Sequence, residues 1–264
     1  MAVSCSGPPA TSVGAVPRTA DGKPNLAGIW QAQSTAWADL EDHAASHGMR
    51  AGRSVVLSET GGVGGQIPYL PAAADQRRMN FANRATADPL SKCYMPGVPR
   101  IMYMSFPFQI FQTPNHVAMT FEFSQIFRLI YTDGSKPRGG ITQWMGDSRG
   151  RWEGDTLVVD VVEHDERSWL DMAGNFHSDA LTVVERYAMA DADTIQYEAT
   201  IEDPKVFARP WTIALPLRRQ VGMDRVLEYQ CNAEAEEANG AFERDPKTWY
   251  PGPGLAPAQP QPGN

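Results

Sequence analysis

Five side chains in this sequence have the chemistry and setting to move protons: Glu185, His177, His164, Tyr103 and Asp147. From Leu181 to Tyr187 apolar residues alternate, and Glu185 falls on the face of Leu181, Val183 and Tyr187. A carboxylate on an apolar face either pairs with a cation, here Arg128 or Arg209, or has its pKa raised by desolvation, which suits a general acid or base. His177 follows Gly174-Asn175-Phe176 and precedes that strand, so it is placed for proton exchange near neutral pH at the end of a sheet. The alternative is a histidine bonded to backbone carbonyls. His164 beside Asp165 fits an oriented base on a facing loop, or an exposed loop pair. Tyr103 lies three residues after Arg100, and a phenol beside a cation can hold or protonate an oxyanion. The alternative there is a core tyrosine with a surface arginine.

Candidate binding residues surround these. The run Trp144 to Asp155 is dense in Trp, Asp, Arg and Gly. It reads either as a structural hairpin freed by Gly146, Gly150 and Gly154, or as a pocket rim with Trp144 and Trp152 as flat walls and Asp147 and Arg149 as polar contacts. Trp169 lies on segment 163–180, read as a lid, and Arg100, Phe121 and Glu122 complete the set of substrate contacts. No metal or cofactor is expected. His43 and His47 share a helical spacing, but no third ligand stands near them. Gly61 to Gly65 lacks the Lys-Ser/Thr of a phosphate loop, and no Gly-x-Ser-x-Gly elbow occurs.

Strands must position these groups. His116 to Phe123 alternates, with Val117, Met119, Phe121 and Phe123 on one face. Further strands are predicted at Gly28–Ala32, Phe108–Gln112, Ile126–Tyr131, Ile141–Met145, Arg151–Trp152, Thr156–Val162, Leu181–Tyr187, Thr194–Ile201, Trp211–Leu217 and Arg225–Cys231. Glu153-Gly154-Asp155 and Asp191-Ala192-Asp193 are turns between them. Helices are predicted at Ala36–Met49 and Ala72–Ala85, with an irregular wrap over 89–100. Short strands joined by tight turns predict a mainly β fold, an antiparallel meander closing into a lipocalin-like β-barrel with short helices in the N-terminal third; a two-sheet sandwich is the alternative.

The chain has 264 residues with 23 Lys and Arg against 31 Asp and Glu, a formal net charge of −8. The acidic balance and the lack of a basic stripe exclude a nucleic-acid partner. No apolar run has the length of a membrane helix, roughly 18 residues or more. Residues 1–24 read as a tether or signal remnant, 25–250 as one barrel domain and 251–264 as a disordered tail, rich in Pro and Gly. Of the three cysteines, Cys93 and Cys231 either bridge, if the protein is exported, or remain buried thiols.

Three stretches carry resemblances. Met1-Ala2-Val3-Ser4-Cys5-Ser6-Gly7 resembles the end of a bacterial lipoprotein signal, which implies a lipid anchor at Cys5 and a periplasmic or exported location. Gly28-Ile29-Trp30 resembles the Gly-x-Trp opening of lipocalins, in which the Trp closes the base of the barrel. About 75 residues separate this Trp from the main run of strands, a departure from the lipocalin layout. Asp21-Gly22-Lys23-Pro24-Asn25-Leu26, Trp144 through Asp160, Gly174-Asn175-Phe176-His177-Ser178 and Arg209-Pro210-Trp211 resemble a large uncharacterised bacterial family of exported β-rich proteins. That resemblance implies no activity, and Glu163-His164-Asp165 departs from its Phe-Asn-type pair.

These readings lead to two expectations. One is a cofactor-independent enzyme of lyase or isomerase type, using acid-base chemistry on a hydrophobic, aromatic or terpenoid small molecule inside a barrel. The other is a periplasmic binding or carrier protein with the same cavity and no chemistry. Convergence of two or more ionisable groups on one cavity distinguishes the first from the second.

Overall fold

A computed structural model describes residues 15–46 and 49–232. Cys5, His47 and the 251–264 tail lie outside the described residues. Nine strands close into a barrel in sequence order: β1 (Gly28–Ala32), β2 (Phe108–Gln112), β3 (His116–Phe121), β4 (Phe127–Tyr131), β5 (Asp147–Glu153), β6 (Thr156–Val162), β7 (Thr182–Asp191), β8 (Thr194–Glu202) and β9 (Trp211–Arg219). The expected barrel is therefore present. Every neighbouring pair is antiparallel except β4 and β5. An odd number of strands in a closed ring cannot alternate throughout, so one pair must run the same way. Segment 132–146 makes the return crossover that this parallel pair requires.

The tight turns close where Gly and Asp predict them. Glu153 pairs with Thr156 across Gly154-Asp155, and Gly154 takes φ +60°. Trp30 on β1 is fully buried, its Nε1 donating to the Leu26 carbonyl at 2.8 Å. The Arg219 guanidinium stacks 4.2 Å from its ring centre. Gly28 is required beside this stack, since it adopts φ +141° and a Cβ there would lie 2.0 Å from Arg219 Nη1.

The inward faces of the strands carry Phe108, Ile110, Met119, Leu157, Val159, Tyr187, Ile195, Tyr197 and Leu217, all buried in one core. The hollow container expected from the sequence is instead filled by these side chains. The small strand-to-strand radius of a nine-membered ring and the size of the aromatic residues leave the centre packed.

Helix α1 spans Pro71–Ala87, starting on a proline and stopping at Asp88-Pro89. Short 3₁₀ turns follow at Pro89–Lys92 and Arg100–Tyr103. The helix expected at Ala36–Met49 does not form. Its backbone amides are taken by side chains: Glu41 N by Asp39, Ala36 N by Ser34, and Leu40 N by Asp171 at 2.9 Å. Such bonds compete with a helical ladder. Ile141–Met145 is not a strand either; Gln143 makes one isolated bridge to His164 on the crossover. Nor is Arg225–Cys231. That segment runs beside the end of β3 as a strap, joined by Ser124 N to the Tyr229 carbonyl at 2.8 Å and by Leu227 N to Glu122 at 2.9 Å.

Cys93 and Cys231 form a disulfide that fastens the strap. The composition predicts a tether through residue 24, but residues 15–24 belong to the barrel surface. Arg18 bridges to Pro24 and forks onto Asp155 at 2.8 and 2.6 Å.

Candidate functional site

A charged strut crosses the packed interior. Arg128 on β4 meets Glu185 on β7, Nη1 donating to Oε1 at 3.0 Å and Nη2 to Oε2. Tyr187 and Tyr197 donate to the same Oε1 at 2.9 and 2.8 Å. Ser148 on β5 accepts from Arg128 Nε and Nη2 at 3.1 and 3.0 Å. Burial, then the neighbouring Glu185 carboxylate, pushes both tyrosine hydroxyls well above their usual range, so they remain neutral donors. Burial acts to lower the Arg128 pKa, and Glu185 together with Tyr187 and Tyr197 more than offsets it. With both oxygens hydrogen-bonded and the carboxylate forked by Arg128, Glu185 is a strut, the ion-pair alternative of the sequence reading. Arg128 is the partner, and Arg209 pairs instead with Glu59 at 2.8 Å.

The strut ends at an opening. Strands β4 and β5 share only the pairs Ile130–Ser148 and Tyr131–Arg149. Beside this short seam lies a cavity of about 870 Å³, lined by both Arg128 and Ser148. Its apolar walls include Trp144, Met145, Ile126, Phe127, Ile141 and Met95. Phe127 is 75% exposed and Ile141 57%, so the rim presents apolar surface to water. Arg138, Arg149 and Asp147 supply the remaining charge. Asp147 is forked by Arg149 at 2.7 and 2.9 Å, and Arg149 stacks 4.4 Å from the Tyr131 ring centre. Trp144 stacks on Tyr94 at 5.0 Å and carries Arg167 4.7 Å from its ring centre. Of the residues read as a rim, Trp144, Asp147 and Arg149 line this cavity and Trp152 does not.

His164 and His177 meet beneath this wall, edge to face, with ring centres 5.9 Å apart. Burial, reinforced by His177, lowers the His164 pKa to about 3; burial also lowers that of His177. Both are neutral at pH 7. His177 is saturated, Nε2 with Ser168 Oγ at 2.8 Å and Nδ1 with the Ser178 carbonyl at 2.9 Å. It is a buried carbonyl-bonded histidine, not a group at an open mouth. His164 differs: Nε2 lies 3.2 Å from the Val161 carbonyl, while Nδ1 has no partner among the described residues. Gly146, on the pocket wall, covers this ring so closely that a Cβ there would lie 3.1 Å from His164 Cε1.

Other candidates lie elsewhere. The Tyr103 hydroxyl donates to the Leu170 carbonyl at 2.7 Å and is a core tyrosine. Arg100 is not a surface residue; it is buried in a fork with Asp88 at 2.9 and 2.7 Å. Trp152 packs against the core under Lys23, and Phe121 packs inside the barrel on Phe108, with ring centres 5.1 Å apart. Glu122 faces outward and holds the strap. Trp169 is buried and bridges to Phe176.

Segment 163–180 is pinned rather than a lid: Met172 N bonds to the Trp37 carbonyl at 3.1 Å and Ser178 N to Asp203 at 2.6 Å. Its firmest anchor is a buried carboxyl pair. Asp171 accepts from Leu40 N and Asn175 N, and Asn175 Nδ2 also reaches Asp39 at 3.2 Å. Burial, then the nearby Asp39, raises the Asp171 pKa to about 7.

His43 bonds through Nδ1 to the Glu41 carbonyl at 2.8 Å. Among the described residues no group of three His, Cys, Asp or Glu could hold a metal ion. Of the residues gathered at the seam, the sequence reading named Arg128 only as a partner for Glu185 and missed Ser148 and Tyr197. The signal for Arg128 was present: it alternates with Ile126 and Ile130 on an inward strand face.

Comparison with known proteins returns no matching family model, no matching curated protein and no matching solved structure.

Proposed function

We propose that the protein binds a hydrophobic small molecule, aromatic or terpenoid in character, at the β4–β5 seam. One observation carries this reading: an 870 Å³ cavity with aromatic and aliphatic walls opens onto the polar end of a buried ion pair. Small-molecule sites combine apolar walls with a few fixed polar groups in this way. Arg128 and Arg138 favour a ligand with an acceptor oxygen or an anionic group. The Cys93–Cys231 bond supports an oxidising compartment such as the periplasm.

The test is a titration with the apolar anion 8-anilinonaphthalene-1-sulfonate, followed by its fluorescence. Saturable binding that Arg138→Glu weakens and Phe127→Ser reduces supports the seam as the site. Binding untouched by both changes rejects it. Native mass spectrometry of protein from its host would then identify a retained ligand.

A second reading, a cofactor-free lyase or isomerase, draws on His164. A neutral imidazole with an unpartnered Nδ1 behind the pocket wall is an acceptor in want of a proton donor. Incubating the retained host ligand with the protein in D₂O tests it. An enzyme incorporates deuterium or changes the ligand's mass, and His164→Gln suppresses this while binding persists. A carrier returns the ligand unaltered. His177, whose two ring nitrogens are already bonded to Ser168 and the Ser178 carbonyl, has no part in this reading.

A further inference from the structure

A second cavity, of about 300 Å³, lies on the other side of the strap, between it and the C-terminal end of α1. The strap separates the two sites by alternation: Gln230 and Asn232 line the seam, whereas Tyr229 and Cys231 line this cavity. Its walls combine the aromatic rings of Trp37, Phe106, Phe123 and Tyr229 with Leu90, Met104 and Met172. Phe106, Phe123 and Tyr229 pack on one another with ring centres 4.7 to 5.5 Å apart, a preformed surface for a further ring.

The polar lining is cationic. Arg84, Arg100 and Asp88 are its charged residues. Asp88 neutralises Arg100, and no carboxylate pairs with Arg84 among the described residues. Arg84 sits half-buried near the end of α1, with Nη1 on the Phe81 carbonyl at 2.8 Å. Arg100 is 2% exposed, and its Nε has no hydrogen-bond partner among the described residues. An apolar box with one uncompensated positive charge and one orphaned guanidinium donor selects a small aromatic ring carrying a single negative charge. The volume is at the lower end of small-molecule sites, roughly 300–1,000 Å³, and so admits one ring with a short side chain.

We infer that the cavity between α1 and the disulfide-held strap, walled by Trp37, Phe106, Phe123 and Tyr229 and charged by Arg84 and Arg100, is a binding site for a small aromatic monocarboxylate. The site is distinct from the seam and does not depend on what the seam binds.

Isothermal titration of the full chain with trans-cinnamate and with cinnamamide tests this. Cinnamate is expected to bind at one site, at least ~10-fold more tightly than the amide, because a charged acceptor makes the stronger bond to guanidinium. Arg84→Gln should bring the two ligands to within about twofold, as the ionic component is lost. Ala85→Trp, at an exposed helix position on the cavity lining, should abolish binding. Ser91→Phe blocks the same cavity if Ala85→Trp does not fold. The seam variant Phe127→Ser should leave cinnamate affinity unchanged. No saturable binding, equal affinity for acid and amide, survival of binding in a folded blocked variant, or loss in Phe127→Ser would each overturn the assignment.

Discussion

From β6 to β9 the wall of the barrel is continuous. Strand β7 pairs with β8 from Thr182–Glu202 to Asp191–Thr194, and β8 pairs with β9 from Thr194–Arg218 to Ile201–Trp211. Between β4 and β5 the wall is held at two residue pairs, Ile130–Ser148 and Tyr131–Arg149. Long antiparallel registers bury both their backbone groups and their apolar faces. The parallel seam leaves much of β4 without a strand partner on that side. The lesson is that rigidity and access occupy opposite sides of one sheet. Glu185, Tyr187 and Tyr197 belong to the continuous wall, and through Arg128 they hold the edge of the broken one in place.

The largest expected effect comes from cutting that link. Glu185→Ala leaves the Arg128 cation buried without its carboxylate, and should cost roughly 3–5 kcal/mol of stability in denaturant unfolding. A loss under about 1 kcal/mol would mean that water or Ser148 solvates Arg128 and that wall and seam are independent.

Next is the clasp. Cys93→Ser with Cys231→Ser opens a bond spanning 138 residues, and removing a native disulfide typically costs about 2–5 kcal/mol. Hydrogen exchange should quicken in β4 and the strap while β7 and β8 stay protected. Uniform quickening would erase the contrast between the two sides.

A third expectation concerns pH. Asp171 has a folded-state pKa of about 7, raised above its unfolded value, so its contribution is full at pH below about 4 and is lost as pH rises through 7. Asp171 by itself contributes a fall of roughly 1.4 kcal/mol between pH 6 and 8, partly offset by the histidines. Asp171→Asn should flatten this slope. The histidines act in the opposite sense: with folded pKa values below the usual 6.5, His164 down to about 3, they withdraw stability as pH falls below about 6.5. A urea midpoint measured across pH 4 to 8 should therefore peak near the middle of that range. Asp171→Asn removes one of the two opposing slopes, so a pH profile unchanged in that variant would contradict the Asp171 assignment.

The smallest effect is at the rim. Phe127→Ser, at a residue 75% exposed, should change stability by no more than about 0.5 kcal/mol. It should weaken binding of the fluorescent anion about fivefold, for roughly 1 kcal/mol of lost apolar cover.

Much of the wall was legible in the sequence. Alternation across His116–Phe121 and Thr156–Val162, with Asp-Gly type turns between runs, defines strands because a two-residue side-chain period sorts one face inward. Helix α1 was legible from its terminating Asp88-Pro89. Glu185 on an apolar face correctly implied a buried partner. What failed depended on partners distant in the chain. Leu40 donates its amide to Asp171, 131 residues away, so a locally helical stretch is held in turns by a carboxylate that no local pattern predicts. Arg225–Cys231 has strand-like composition, yet the disulfide and Glu122 hold it outside the barrel. His177 read as a loop histidine at the end of the sheet, placed for proton exchange or bonded to backbone carbonyls; the second holds, and Asn175 anchors that loop in the core.

The ring's strand count has a consequence for how such a protein can vary. Gaining or losing one strand would let every neighbour run oppositely, and nothing would then oblige the sheet to keep a breach in its side. On the proposed reading of the seam, strand parity is therefore the feature that keeps the opening beside β4 and β5.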